Sequence, residues 1–443
     1  MKIFKYLYLN NRVFYGAAIV AIIYILAFFF PVIISIALLL FWALILFIFV
    51  DVLLLFISKE PIKAQRILPE KLSNGDENFV KIDIRNLYGF KIKTKIIDEI
   101  PFQFQKRDFL IEKNIESKKK SFFQYHLEPK ERGEYSFGSL NVFVSSPLGL
   151  VSRKLIFQKD DQLPCYPSFI HLRKYELMAL NNEFLMGGIK KIRRLGHTME
   201  FEQIKEYVPG DDVRTINWKA TSKRNALMVN QFQDEKSQRV YIIIDKGRTM
   251  QMPFNGLSLL DYSINSAMAL SHIILKKSDK AGMMTFSKKT ENKIAAENKN
   301  GQLKKIAETL YNINTNFYES DFNRLYQDIK FSINQRSLIL LFTNFETLDA
   351  VNRQMKYLRG IAKNHLLVVV FFKNAEMLQL AGKNPDNMQE VYDEIIAEKF
   401  EMEKKLIIQE LRKHGIYSIY TLPENLNIEV INKYLEIKAR GIL

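Results

Sequence analysis

No charged side chain occurs from residue 13 to residue 50, and the apolar pattern continues past Asp51 to Ile57. As one helix this stretch would reach about 68 Å at about 1.5 Å per residue, against a hydrocarbon core of about 30 Å. It is long enough for two spans, and Pro31 and Ser35 mark where the chain can turn. The pattern predicts a transmembrane hairpin, roughly 13–32 and 35–57, with everything after it on the side of the N-terminus. Lys2, Lys5 and Arg12 precede the hairpin, Lys59, Lys63 and Arg66 follow it, and the turn has no Lys or Arg. Positive flanks stay in the cytoplasm, so both ends are expected there, with the lipid bilayer of the inner membrane as a partner. The run is too long for a signal peptide and lacks a small-residue cleavage site. Asp51, near the end of the second span, is expected to reach the membrane interface.

Beyond the hairpin the pattern turns to alternation. Val80-Lys81-Ile82-Asp83-Ile84 alternates strictly, as a half-buried strand does. Residues 90–97 alternate again, with Lys91, Lys93 and Lys95 on one face, and 122–127, 133–137 and 140–144 continue the pattern. Turn residues separate the strands at Asn74-Gly75, Arg132-Gly133 and Ser146-Pro147. Short strands at this spacing predict a small β-sandwich, a spacer or docking module.

From residue 238 the rhythm is that of a covered parallel sheet. Apolar strands are predicted at 240–244, 281–286, 338–342, 366–372 and 416–420. Helical stretches lie between them, at 260–275, 301–313, 321–332, 348–361 and 386–413, and a last one follows at 425–438. Strands alternating with helices give an α/β fold, doubly wound and mostly parallel, with ligands at the carboxyl ends of the strands. The expected domains are a hairpin (1–60), a sandwich (61–157), a polar basic connecting segment (158–237) and the α/β domain (238–443).

Composition changes this picture little. The single cysteine, Cys165, excludes an internal disulfide, and the net charge of +16 is spread over the chain. A domain held beside anionic lipid tolerates such an excess. Zinc-finger spacing, an aromatic-basic RNA signature and a recognition helix are all missing, so nucleic acid is not the expected partner. Phosphate loops, dinucleotide fingerprints, the zinc-protease motif and the serine elbow are missing too. The six histidines are scattered without metal-ligand spacing.

Two places carry candidate chemistry. The first central strand ends at Asp245, followed by Lys246-Gly247-Arg248-Thr249. A carboxylate there, with hydroxyls two and four residues on, can build an oxygen site for a hard cation such as Mg²⁺. Gly247 has no hydroxyl, Thr249 supplies one, and Ser320-Asp321 and Thr343-Asn344 could add ligands. A metal-free site is the expectation, in which Asp245 and Thr249 cap the turn that follows. The second place is Pro209-Gly210-Asp211-Asp212-Val213-Arg214 with Trp218. Pro209 and Gly210 suit the middle of a type II turn. Asp211 and Asp212 could cap a helical turn, Asp212 could pair with Arg214, and Trp218 would anchor the loop by burial. The alternative is a partner-recognition surface; acid–base chemistry by the two neighbouring carboxylates is the least expected reading.

Residues 200–250 resemble the membrane-anchored proteins named only as domain of unknown function 58. The likeness rests on Glu200-Phe201, on the run from Tyr207 through Trp218 to Thr221, and on Val229-Asn230-Gln231-Phe232. Arg132-Gly133-Glu134-Tyr135-Ser136-Phe137-Gly138 and Ser146-Pro147-Leu148-Gly149-Leu150 resemble the family's sandwich region. The resemblance implies a von Willebrand factor A-like domain after the sandwich and association with MoxR-type AAA+ ATPases. It also implies a metal motif that is degenerate here, with Gly247 for a serine and Asn344 for an aspartate, while Asn217 and Thr198 replace a family aspartate and glycine. The function expected is that of a non-catalytic membrane adaptor working with such an ATPase on envelope proteins. The rival readings are a surface module for anionic lipid or nucleic acid, and an enzyme using Asp211 and Asp212.

Overall fold

The computed structural model describes residues 6–58, 60–106, 109–158, 160–177, 200–224, 226–233, 237–315, 317–380 and 388–442. Lys2, Lys5, Lys59, His197 and Thr198 lie outside them. The chain divides into two compact units, Met1–Tyr166 and Pro167–Leu443.

The first unit opens with strand β1 (Leu7–Leu9), then helices α1 (Asn11–Phe29) and α2 (Ile34–Phe56), joined by a single 3-10 turn at Pro31–Ile33. At about 1.5 Å per residue the helices reach about 28 and 34 Å, enough to cross a bilayer. Only 17% and 11% of their most apolar windows is buried, far less than in the core helix of a soluble protein. The helices touch where Gly16 leaves room for Leu44; a Cβ at Gly16 would lie 3.1 Å from the Leu44 Cδ1.

The strands that follow are β2 (Ile62–Ile67), β3 (Leu72–Ser73), β4 (Asn78–Asn86), β5 (Ile92–Asp98), β6 (Ile111–Ile115), β7 (Lys120–Leu127), β8 (Gly133–Phe137), β9 (Leu140–Ser145), β10 (Val151–Phe157) and β11 (Asp161–Tyr166). One sheet runs β1-β10-β9-β5-β6, and β2-β4-β7 and β3-β11-β8 form the smaller ladders. Alternation does what it predicts: Val80, Ile82 and Ile84 of β4 are buried, as are Ile92 and Ile96 of β5. On the outer face Lys93 and Lys95 both meet Glu112 of β6 at 2.9 Å. The unit extends to Tyr166, so the expected boundary at 157 falls short by strand β11.

Arg66 departs from its reading as a cytoplasmic flank. Its side chain is fully buried inside the sandwich, 2.5 Å from Asp98 and 2.6 Å from Asp161. Tyr125 donates to the other oxygen of Asp98 at 2.6 Å. A guanidinium out of water needs this fork of carboxylates, and the cluster ties β2, β5, β7 and β11 together.

Asp51 also departs from expectation. Instead of reaching for the interface it is fully buried, and one carboxylate oxygen accepts the backbone N–H groups of Leu150 (2.9 Å) and Val151 (2.8 Å). The Leu55 carbonyl one turn on accepts from Tyr88 Oη and Arg153 Nη1, both at 2.7 Å. Leu55 itself sits in the sandwich core with Ile84, Ile96, Val142 and Val151, and Val52 and Phe56 pack against it. From the other side of the hairpin, Asn10 donates to the Gly149 carbonyl at 3.0 Å and Arg12 to the Leu148 carbonyl at 2.9 Å. The Ser146-to-Leu150 stretch is therefore a clasp that grips both ends of the hairpin. Gly149 turns there with φ +69°, and a Cβ on it would lie 3.0 Å from Arg12.

In the second unit an antiparallel pair, β12 (Glu200–Glu206) and β13 (Met228–Gln233), flanks the short helix α3 (Trp218–Arg224). A sheet of strands β14 (Arg239–Asp245), β17 (Lys280–Phe286), β18 (Thr290–Glu297), β19 (Leu338–Phe342), β20 (Leu366–Phe372) and β21 (Tyr417–Thr421) follows. The two-residue strands β15 (Pro253–Phe254) and β16 (Leu257–Ser258) make a separate ladder. The order is β18-β17-β14-β19-β20-β21, and every pairing is parallel except that of β18 with β17. The helices are α4 (Leu259–Lys276), α5 (Gln302–Tyr311), α6 (Phe322–Ser332), α7 (Leu348–Asn364), α8 (Ala375–Leu380), α9 (Met388–Lys413) and α10 (Leu426–Arg440). Tyr241 and Ile243 pack into a core with Leu325 and Ile329 of α6 and Val351 and Leu358 of α7. The alternate residues Val240, Ile242 and Ile244 are equally buried, and α4 packs on β14 and β17, so both sheet faces are covered. The mixed α/β class is thus present, with β18 an antiparallel edge that the sequence pattern did not mark.

Candidate functional site

The signature loop is built by its own polar groups. Asp211 N–H donates to the Val208 carbonyl at 2.9 Å, and Gly210 stands at φ +109°, which makes Val208–Asp211 the expected turn with Pro209 and Gly210 in the middle. The Asp211 carboxylate accepts from the Val208 N–H at 3.1 Å and pairs with Lys205 of β12 at 2.8 Å. Asp212 caps a 3-10 turn at Val213–Thr215, accepting from the Arg214 N–H at 3.0 Å. Its contact with Arg214 is thus through the backbone, and the Arg214 side chain is exposed. The two carboxylates serve different partners and do not converge. Asn217 caps α3 by accepting from the Ala220 N–H at 3.0 Å, and its own backbone N–H donates to the Met228 carbonyl at 2.8 Å.

Trp218 is not the expected anchor. It is 71% exposed at the first position of α3, and Val208 and Val213 are exposed beside it in the sequence. Anchorage comes instead from buried Met228 and Val229 and from Asn217, whose amide donates to Asn230 at 2.8 Å.

The second site lies where the sheet reverses its order. Asp245 ends β14, between β17 and β19, at the carboxyl ends of three parallel strands. It is buried, and its oxygens accept from the Gly247 N–H (2.8 Å), the Thr343 hydroxyl (2.7 Å) and the Ser320 hydroxyl. Burial pushes its pKa up; the hydrogen bonds from Ser320, Thr343 and Gly247 pull the other way. Thr249 is half-buried in the next turn and is not among the partners of Asp245, and Asp321 caps α6. Asn344 is buried with its Oδ1 unpartnered. The space that a side chain at 247 would use is filled, since a Cβ there would lie 2.1 Å from the Ser320 Oγ. One carboxylate that already accepts from three protein donors, with Asn344 and not a second acid beside Thr343 in the sequence, does not fit a tightly held dication. Among the described residues no group of three or more His, Cys, Asp or Glu could hold a metal.

Lys404 was invisible to pattern reading. It lies on α9 in a run of alternating charge, yet it is buried and donates to the Phe345 carbonyl. With Asn344 it lines a cavity of about 380 Å³ walled by Phe254, Phe372, Phe400 and Tyr420. Only the packing of α9 against the loop after β19 reveals it.

Comparison with known proteins fits the sequence resemblance. The pattern of the family described as "Protein of unknown function DUF58" matches residues 203–386, which take in the signature loop and the sheet as far as β20. A Bacillus subtilis protein, "Uncharacterized protein YeaD", is 24% identical over 224 residues, covering 49% of this chain and 54% of its own length. The chain thus spans about half the length of that curated relative. Among solved structures, a PapD-like domain of human CEP192 shares 13% identity at a TM-score of 0.20, covering 25% of this chain and 92% of its own. A CARDB domain from Pyrococcus furiosus shares 13% identity at a TM-score of 0.16, covering 21% of this chain and 85% of its own. Likeness at that level carries no argument about this chain.

Proposed function

We propose that this chain, which carries a DUF58 region, is a non-catalytic adaptor anchored in the inner membrane, with its soluble units in the cytoplasm. Its partner in this reading is a MoxR-type AAA+ ATPase, acting on the assembly or maturation of envelope proteins. The observation that carries the reading is the signature loop: Asp211 and Asp212 are engaged in holding its shape, while Trp218, Val213 and Val208 face water. Exposed apolar residues on a stiff loop suit docking better than chemistry. The open sheet, with its first strand in the middle and Asp245 at that strand's carboxyl end, supports a von Willebrand A-like domain. Its donor set supports weak Mg²⁺ binding at best. The basic flanks of the hairpin support the cytoplasmic side.

The test uses the full chain in nanodiscs and a purified MoxR-type ATPase from the same genome. Trp218→Ala should weaken binding by about tenfold or more, roughly 1.4 kcal/mol or above, as loss of an interface tryptophan does. The melting temperature should hardly move, since an exposed substitution usually changes stability by no more than about 0.5 kcal/mol. Absence of binding by the unaltered chain, or unchanged binding by the variant, would sink the proposal.

A further inference from the structure

Helix α9 buries one face and leaves an apolar face opposite to it. Ala397, Lys404 and Leu411 point into the α/β unit. On the other side Met388, Tyr392, Ile395 and Met402 are 86%, 66%, 58% and 63% exposed, and Leu406 is exposed as well. At about 100° per residue these five, with exposed Lys399, form one stripe about 28 Å long. Their spacing is four, three, four, three, four, the seam of a coiled coil. A soluble helix that is apolar on two opposite faces lacks a partner for one of them.

The occupant follows from the charges in and beside the seam. Glu398 and Glu403 flank it, which disfavours an anionic bilayer, since helices that lie on membranes carry Lys and Arg there. Lys399 sits inside it, near its midpoint. A parallel copy of the same helix would set Lys399 against Lys399. An antiparallel copy centred near residue 397 sets Met388 against Leu406, Tyr392 against Met402 and Ile395 against Lys399. It also brings each Lys399 beside Glu398 of the other copy. The seam is thus complementary to itself under a twofold axis, as an isologous interface must be.

We propose that α9 is a dimerisation helix whose exposed seam pairs antiparallel with α9 of a second copy of this chain. The contact is shorter than a standard protein interface, and anchoring in the membrane raises the effective concentration that it works at. This inference does not depend on the adaptor reading, since the seam shares no residue with the signature loop.

Two differently tagged full-length chains, both with Cys165→Ser, test it in native membranes. One carries Tyr392→Cys and the other Met402→Cys, and a short bis-maleimide links neighbouring thiols. The expected product is the mixed 392–402 dimer, well in excess of either homotypic dimer, and its loss when Ile395→Glu is added to both chains. Ile395 is exposed, so the melting temperature of that variant should stay put. The proposal is overturned by homotypic products equal to the mixed one, by no dimer, or by a mixed dimer that survives Ile395→Glu.

Discussion

Lys404 shows how far a single residue can differ from its appearance in the sequence. Burial pulls its pKa down from 10.5 to about 8, while Glu346, Glu403 and Glu401 pull it back up. Folding therefore disfavours the ammonium, and the sign of the pH effect follows. Above about 10.5 both states are neutral and the full stability is present; as pH falls through about 8 it is lost. The difference is on the order of 3 kcal/mol. Thermal unfolding of the full chain in nanodiscs should show the unaltered protein gaining on Lys404→Met between those two values. A gap between the two proteins that stays constant with pH would contradict the burial argument. Asp245 was legible because a carboxylate closing an apolar run stands out in any pattern. Lys404, Arg66 and Trp218 were not. Whether a charge or an aromatic ring ends up inside depends on which distant chain covers it, and Asp98, Asp161 and the Phe345 carbonyl are all distant in sequence.

At the scale of elements, the strands easiest to read were those buried on both faces, β14, β19 and β20, whose apolar runs have no competing interpretation. Strand β18, Thr290–Glu297, lies at the sheet edge with only Ile294 and Ala296 buried, so its pattern is weak. Strand β1 was missed for a different reason: three residues beside a long apolar helix carry no periodicity, and its partner β10 is more than 140 positions away. Helix α2 was legible as a long apolar helix, but its packing into the sandwich core lies in contacts that no local pattern contains. Asp51→Leu tests that packing. It should leave the Leu150 and Val151 N–H groups without an acceptor, at about 1–3 kcal/mol for each buried group. Amide exchange at Leu150 and Val151 should accelerate well beyond that of the sandwich centre. Unchanged protection there would mean that the clasp does not depend on the carboxylate.

On the scale of the whole molecule, the hairpin was the most legible feature, because length and charge alone bound it. The β1–β10 ladder adds an observation independent of charge: residues 7–9 pair with residues 151–153, so the segment before the hairpin and the sandwich after it lie together at one end of the two helices. The side of the membrane is a prediction from the basic flanks. In intact cells, Lys5→Cys and Glu70→Cys should both be shielded from a membrane-impermeant thiol reagent, and labelling of position 70 from outside would invert the arrangement. The same ladder also orders biosynthesis. Leu7–Leu9 leaves the ribosome well before its partner strand, which emerges only after the hairpin and most of the sandwich have been made. Until then β1 has no partner, and Asp51 has no N–H groups to receive. Closure must therefore wait: a strand made ahead of both apolar helices finds its place only when the sandwich behind them is nearly complete.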